Sequence, residues 1–308
     1  MNILVTGGAG FIGSHITDKY LEQGHNVVVV DNLSTGLKEN VNPKAKFYKL
    51  DVTHDNLSDI FDNHHIEIVN HHAAQIDLRK SVEDPVFDMK VNIEGSLNLF
   101  EVSCNHKIKK IIFASSGGAV YGEQVSYPAD EQHPTNPISP YGISKLSVEK
   151  YLRFYADKFN IRTICLRYSN VYGPGQNPRG EAGVISIFCQ KILKNQQSII
   201  NGDGEQTRDF VFVDDVVNAN LLALNYENSD IFNISTNIET SVNRIYDIIN
   251  FHFGNKSKKI QNPEIFGEVK RSLIDNNRAL TFLKWNPVFD IEKGLKITCD
   301  WFKQNVNN

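Results

Sequence analysis

The stretch Ile3-Leu4-Val5-Thr6-Gly7-Gly8-Ala9-Gly10-Phe11-Ile12-Gly13 decides the fold. Ile3–Val5 is a short, continuously apolar run, the pattern of a strand buried on both faces. Glycines at 7, 10 and 13 then end the strand and open a helix. Gly7 permits a tight turn, and Gly13 lets the helix pack closely on the sheet. Gly10 lets a pyrophosphate approach the helix N-terminus, where the backbone at Phe11 and Ile12 offers N–H groups. Asp31 closes the next apolar run, Val27–Val30, 18 residues after Gly13. An acidic residue there meets the adenosine ribose hydroxyls and repels a 2′-phosphate, so the expected cofactor is NAD rather than NADP. Asn32 shares that strand end, and Asp51-Val52, after the third apolar run, borders the adenine.

Working outward, Phe47–Leu50, Ile66–Val69, Ile111–Ala114 and Thr163–Leu166 read as further buried strands. Helical patterns separate them: Gly10–Gln23 stopped by Gly24, Pro85–Asn105, and a helix capped by Ser139 with Pro140 in its first turn, running to Phe159. This alternation predicts an α/β fold, a doubly wound parallel Rossmann sheet over residues 1–170. Residues 171–308 predict a smaller mixed α/β C-terminal substrate domain, with helices at 183–195, 214–225, 241–253 and 291–304. Residues near 209–235 could return to the main sheet through the apolar run Ile231–Ile234.

The 308 residues carry 32 basic and 36 acidic side chains, a net charge of −4. That argues against a nucleic-acid partner, which calls for a basic footprint, but leaves room for a local anion site. Cys104, Cys165, Cys189 and Cys299 form no CxxC pair and read as reduced packing residues. With no leader pattern and no apolar run near the ~20 residues of a membrane span, a cytoplasmic, membrane-free protein is expected. The pairs His64-His65 and His71-His72 point apart on a strand and lack acidic or cysteine partners at ligand spacing, so no metal is expected.

Tyr141 and Lys145 stand at i and i+4 on one helix face. A phenol of pKa ~10 is a poor base at neutral pH. A neighbouring ammonium and an oxidised nicotinamide favour the phenolate, which can then take a hydroxyl proton while hydride leaves the same carbon.

The ordered set Gly7-x-x-Gly10-x-x-Gly13, Asp31, Ala73-Ala74, Asn92, Ser115-Ser116, Tyr141-x-x-x-Lys145 and Arg167-Tyr168-x-Asn170 resembles the extended short-chain dehydrogenase/reductase family. Within it the chain is most similar to the nucleotide-sugar epimerases, in particular UDP-hexose 4-epimerases. Asp31–Gly36, Ser115–Gly122 and Gly202–Phe210 carry that likeness. The resemblance implies tightly bound NAD, a transient 4-keto sugar and a homodimer built from helices 85–105 and 140–159. It makes Tyr141 the base for the sugar 4-hydroxyl and Lys145 the residue that tunes it and holds the nicotinamide ribose. Ala73, Ala74, Asn92 and Tyr168 are then expected to line the cofactor, and Asn170 and Arg208 to hold the UDP-sugar diphosphate.

Three departures stand out. Relatives carry a Ser or Thr hydroxyl three residues before a Val-Tyr-Gly; here that place is Gly117, which leaves Ser116, then Ser115, or a water as the substitute. An Arg-Pro-Gly-Asp/Glu motif reads Ile265-Phe266-Gly267-Glu268, so Glu268 is kept as a substrate contact and Lys270 or Arg271 replaces the lost charge. Ser272 falls where relatives gate the pocket, and its small size predicts acceptance of UDP-N-acetylglucosamine and UDP-N-acetylgalactosamine besides UDP-glucose and UDP-galactose. Rival readings are a nucleotide-sugar 4,6-dehydratase, a UDP-uronic acid epimerase or decarboxylase, and an inactive NAD-binding protein.

Overall fold

A computed structural model describes residues 1–178, 183–263 and 269–305. The first half runs β1 (Asn2–Thr6), α1 (Phe11–Glu22), β2 (Asn26–Val30), β3 (Lys46–Tyr48), α2 (Ser58–His64), β4 (Ile68–His71), α3 (Leu78–Glu83), α4 (Pro85–Met89) and α5 (Gly95–Asn105). Then follow β5 (Lys110–Ser116), α6 (Gly117–Val120), α7 (Pro140–Phe159), β6 (Arg162–Tyr168) and β7 (Asn170–Tyr172). The remainder is α8 (Val184–Leu193), β8 (Ser198–Asn201), β9 (Thr207–Phe212), α9 (Val213–Asn225), β10 (Asp230–Ile234), β11 (Glu239–Ser241), α10 (Val242–His252), β12 (Lys259–Asn262) and α11 (Ile291–Asn305).

Seven parallel strands form the main sheet in the order β10-β6-β5-β4-β1-β2-β3. This is the doubly wound Rossmann arrangement that the apolar runs predict. Side chains alternate across it: Ile3 and Val5 join the core under α1 and α9, while Leu4 joins the core under α2, α5 and α7. Both faces are thus covered, which is why the strands read as unbroken apolar runs.

β4 starts two residues later than the apolar run Ile66–Val69 suggests. It ends on a buried histidine: Thr6 Oγ1 lies 2.7 Å from His71 Nδ1, and Ser96 Oγ 2.9 Å from its Nε2. Helix Pro85–Asn105 is interrupted by a π turn at Lys90–Glu94, which carries the buried Asn92.

The smaller lobe packs α8, α10 and α11 against the mixed sheet β11-β9-β7 around Phe188, Phe212, Ile245 and Phe302. The lobes interleave. Ile231–Ile234 lies in β10, parallel to β6, and α9 packs on α1, whereas Asp209–Phe212 lies in β9 of the small sheet. Trp285 also returns to the main core and donates to Asp215 O at 2.8 Å. Among the described residues, no helix is long and apolar enough to cross a membrane.

Candidate active site

The sheet order reverses between β1 and β4, whose loops leave in opposite directions and open a crevice at the strand ends. Gly7, at φ +69°, turns the chain there, and a Cβ on it would lie 2.6 Å from Ala73 N. A Cβ on Gly13 would overlap the Gly7 carbonyl oxygen, so α1 starts directly against the turn. A Cβ on Gly10 would meet only that same oxygen, at 3.2 Å. The space over Gly10 therefore admits an anion against the start of α1, whose N-cap has no side-chain partner. The side chains of Phe11 and Ile12 turn away into the small-lobe core and the main core, which leaves the backbone for this role.

Asp31 ties the second strand end to this cradle. Its carboxylate accepts the Ala9 N–H at 3.0 Å and the Leu33 N–H at 2.8 Å, and each oxygen keeps a lone pair for a ribose hydroxyl. Asp51 accepts Asn32 Nδ2 at 2.7 Å and the Thr53 N–H at 2.9 Å. Val52 is buried and takes Asn98 Nδ2 on its carbonyl at 2.7 Å. These residues fit NAD: a glycine cradle for pyrophosphate with a carboxylate at its edge. Ala73 and Ala74 line the other wall, half-buried. Asn92 does not reach into the crevice with a free amide. It clamps the Gln75 backbone, accepting its N–H at 2.9 Å and donating to its carbonyl at 3.0 Å. Tyr168 is buried, and its hydroxyl pairs with His72 Nε2 at 3.1 Å and Asn220 Nδ2 at 2.9 Å. Its hydroxyl is thus engaged inside the fold.

Ser139 caps α7 through the Gly142 N–H and Pro140 starts it, which places Tyr141 in the first turn. Tyr141 is half-buried and Lys145 almost fully buried, with Lys145 Nζ 5.8 Å from the Tyr141 ring centre. Nζ also donates to Ala114 O at 2.9 Å and lies over the Phe113 ring. Burial pushes the ammonium down to about 8, while the Asp88 and Glu149 carboxylates pull it up. The same burial, helped by Lys145, holds His71 well below the usual imidazole range and His72 at about 3. Both rings are neutral and hydrogen-bonded within the fold. Among the described residues, no three His, Cys, Asp or Glu side chains gather to hold a metal.

β5 ends on the two serines, and the structure separates them. Ser115 donates to Glu149 Oε1 at 2.5 Å, inside a buried network in which Arg167 forks onto Glu149 and also binds the Tyr121 hydroxyl. Ser116 is half-buried, and its hydroxyl bonds none of the described residues. A Cβ on the exposed Gly118 would lie 4.0 Å from Ser116 Oγ and 3.9 Å from Asn170 Oδ1, so both face one open space. Gly117 has a steric reason to lack a hydroxyl: Ile274 Cδ1 occupies the place of its Cβ.

Arg208 stands on β9, half-buried, with Nη1 donating to Thr207 O at 2.8 Å. Ser272 is buried, and its backbone is tied to the strand on both sides of Arg208. Its N–H donates to Thr207 O at 3.2 Å, and its carbonyl accepts the Asp209 N–H at 3.1 Å. Arg271 is engaged elsewhere: its fork holds Glu239 through two 2.7 Å bonds, and its guanidinium lies 4.0 Å from the Tyr127 ring centre. Its charge is thereby already neutralised. Glu268 lies outside the described residues.

Sequence reasoning missed Ile274, Asp88 and the Glu149–Arg167 pair. Arg167 and Glu149 are 18 residues apart in sequence yet fully buried together, a contact that no local spacing announces.

The sequence pattern of the NAD dependent epimerase/dehydratase family matches residues 3–235. A putative UDP-glucose 4-epimerase from Methanocaldococcus jannaschii is 51% identical over 303 residues, spanning 98% of this chain and 99% of that protein. The structure of UDP-glucose 4-epimerase from Thermotoga maritima with UDP-glucose superposes at a TM-score of 0.97 with 46% identity, covering 99% of this chain and 100% of that one. That of the Thermus thermophilus UDP-glucose 4-epimerase in complex with NAD superposes at 0.94 with 37% identity, covering 99% and 100%. The chain belongs to the NAD dependent epimerase/dehydratase family.

Proposed function

We propose that the chain interconverts the gluco and galacto forms of a UDP-hexose at C4. The observation that carries this reading is the Tyr141–Lys145 pair in the first turns of α7, in a chain whose β1 ends in the glycine turn of a dinucleotide crevice. Gly7–Gly13, Asp31 and the Ala73–Ala74 wall would hold NAD, which when bound supplies a reversible hydride acceptor for a sugar carbon. Tyr141 takes the proton of the 4-hydroxyl and later returns it to the oxygen of the 4-keto sugar. Ser116 hydrogen-bonds that oxygen through both steps. Lys145 keeps a positive charge beside the phenol and fixes the cofactor ribose. Asn170 and Arg208 hold the diphosphate, with the Arg208 fork suited to phosphate oxygens. Since oxidation and reduction occur on one sugar, the reaction consumes no cofactor.

The lack of side-chain functional groups at Gly117 and Gly118 disfavours dehydration. Neither glycine carries an acid or base, and a side chain at Gly117 would have to displace the Ile274 Cδ1 methyl. Ser272, small and fixed beside Arg208, favours a pocket that accepts N-acetylated as well as plain hexoses. Incubation with UDP-glucose and UDP-N-acetylglucosamine separately, followed by NMR of the anomeric protons, tests both points. The galacto isomer is expected from each. Its absence from both would remove the epimerase reading, and its absence from the acetylated sugar alone would remove the broad pocket.

Ser116→Ala is expected to lower kcat at least about tenfold by removing the hydroxyl proposed to stand in for the one missing at Gly117. Steady-state turnover at the wild-type rate would show that Ser116 has no such part.

We further propose a cytoplasmic homodimer. Ile143, Tyr151 and Phe154 leave α7 exposed at 50%, 42% and 52%, beside Val82 and Val86 of α3 and α4 at 61% and 56%. Apart from Val82 on α3, this apolar face lies on the helices that the family resemblance assigns to a four-helix contact between copies. Sedimentation is expected to give twice the 34.8 kDa chain mass, and a 34.8 kDa particle would contradict it.

A further inference from the structure

Asp88 is fully buried on α4 and has no part in the mechanism above. Its carboxylate accepts three hydrogen bonds from three different segments. Oδ1 takes Gln75 Nε2 at 3.1 Å, from the loop after β4, and Asn92 Nδ2 at 3.0 Å, from the π turn. Oδ2 takes the Ser144 hydroxyl at 2.7 Å, from α7. Ser144 is the residue before Lys145. Through Asn92, the same cluster grips the Gln75 backbone beside the cofactor wall.

The charge arrangement is equally specific. The titratable groups facing Lys145 Nζ are Asp88 from α4, Glu149 and Tyr141 from α7, and His71 and His72 from the end of β4. Both histidines are neutral. Glu149 is already neutralised by the two-pronged contact with Arg167 of β6, at 2.9 and 2.6 Å. Among the described residues, Asp88 has no cationic side chain in ion-pair contact; only neutral donors touch it. A buried carboxylate and a buried ammonium are each costly alone, and these two offset one another between α4 and α7, which the Asp88–Ser144 bond holds together.

We propose that Asp88 is a positioning residue for the reaction: it fixes the Tyr141-to-Lys145 turn to the cofactor wall through Ser144 and supplies the buried countercharge of the Lys145 ammonium. This rests on the epimerase reading. In Asp88→Asn the ammonium loses that countercharge, so Lys145 gives up its proton at lower pH and the alkaline limb of the activity profile moves down.

The test uses the full chain with its NAD retained, as measured by acid release. In Asp88→Asn, kcat on UDP-glucose is expected to fall about tenfold at pH 8 with little change in KM. The alkaline limb is expected to move down by about one pH unit, and NMR titration of ¹³C-labelled Lys145, identified by its loss in Lys145→Met, should move with it. A lower kcat or lower melting temperature with neither titration moved would reduce Asp88 to a packing residue and overturn the proposal. If Asp88→Asn does not accumulate folded, Ser144→Ala decides instead: cutting the link should lower kcat at least about threefold at constant KM, and a wild-type kcat overturns the positioning role. Absence of epimerisation in the wild type would fall on the reaction itself, whereas the Lys145 titration would still report on Asp88.

Discussion

Tyr141→Phe should lower turnover on UDP-glucose by about 10³-fold while leaving the cofactor bound. The ring stays, so packing at the start of α7 is retained; what goes is the oxygen that moves the proton. The glycine cradle and Asp31, which are proposed to hold the cofactor, are not touched by the change. Steady-state kinetics together with cofactor release after acid denaturation check both halves. Turnover within tenfold of wild type would mean that another group, or a water, is the base. Loss of cofactor along with activity would mean that Tyr141 holds the nicotinamide end rather than the proton.

Ser272→Tyr should separate substrates by about 10²-fold, abolishing conversion of the N-acetylated pair while sparing UDP-glucose and UDP-galactose. Ser272 is locked by backbone bonds to Thr207 and Asp209, and the next residue accepts the Ala129 N–H at 3.0 Å. These bonds hold the segment in place against a larger side chain; if Ser272 gates the sugar pocket as proposed, the added ring takes its room from the N-acetyl group. Competing rates on the two sugar pairs decide the matter. Equal loss on both would show that Ser272 shapes the lobe and not the choice of sugar.

The parts of this molecule that local chemistry dictates were readable in the chain. The turn at Gly7, the open backbone at Gly10 and the contact at Gly13 each need an absent side chain, and the one-dimensional pattern shows absence well. The alternating runs reveal the parallel sheet because each strand is covered twice, as Ile3 and Leu4 show by entering different cores. Tyr141 and Lys145 are readable because one helix carries both. What escaped were roles set by long-range contact. Ser115 and Ser116 look equivalent as neighbours, and only the packing of Glu149 against β5 engages one and leaves the other. Arg271 looked available for phosphate until the fold brought Glu239 to it from β11. Tyr168 follows the same rule: its partners Asn220 and His72 are far away in sequence, and they turn its hydroxyl into the interior.

In the proposed reaction, oxidation and reduction take place on one bound sugar. UDP-glucose carrying deuterium at C4, incubated with the purified chain in ordinary water without added cofactor, tests it most directly by NMR. The expected result is a UDP-galactose product that keeps its deuterium at C4. Protium at C4 of the product, or conversion that stops after one equivalent unless cofactor is supplied, would contradict it.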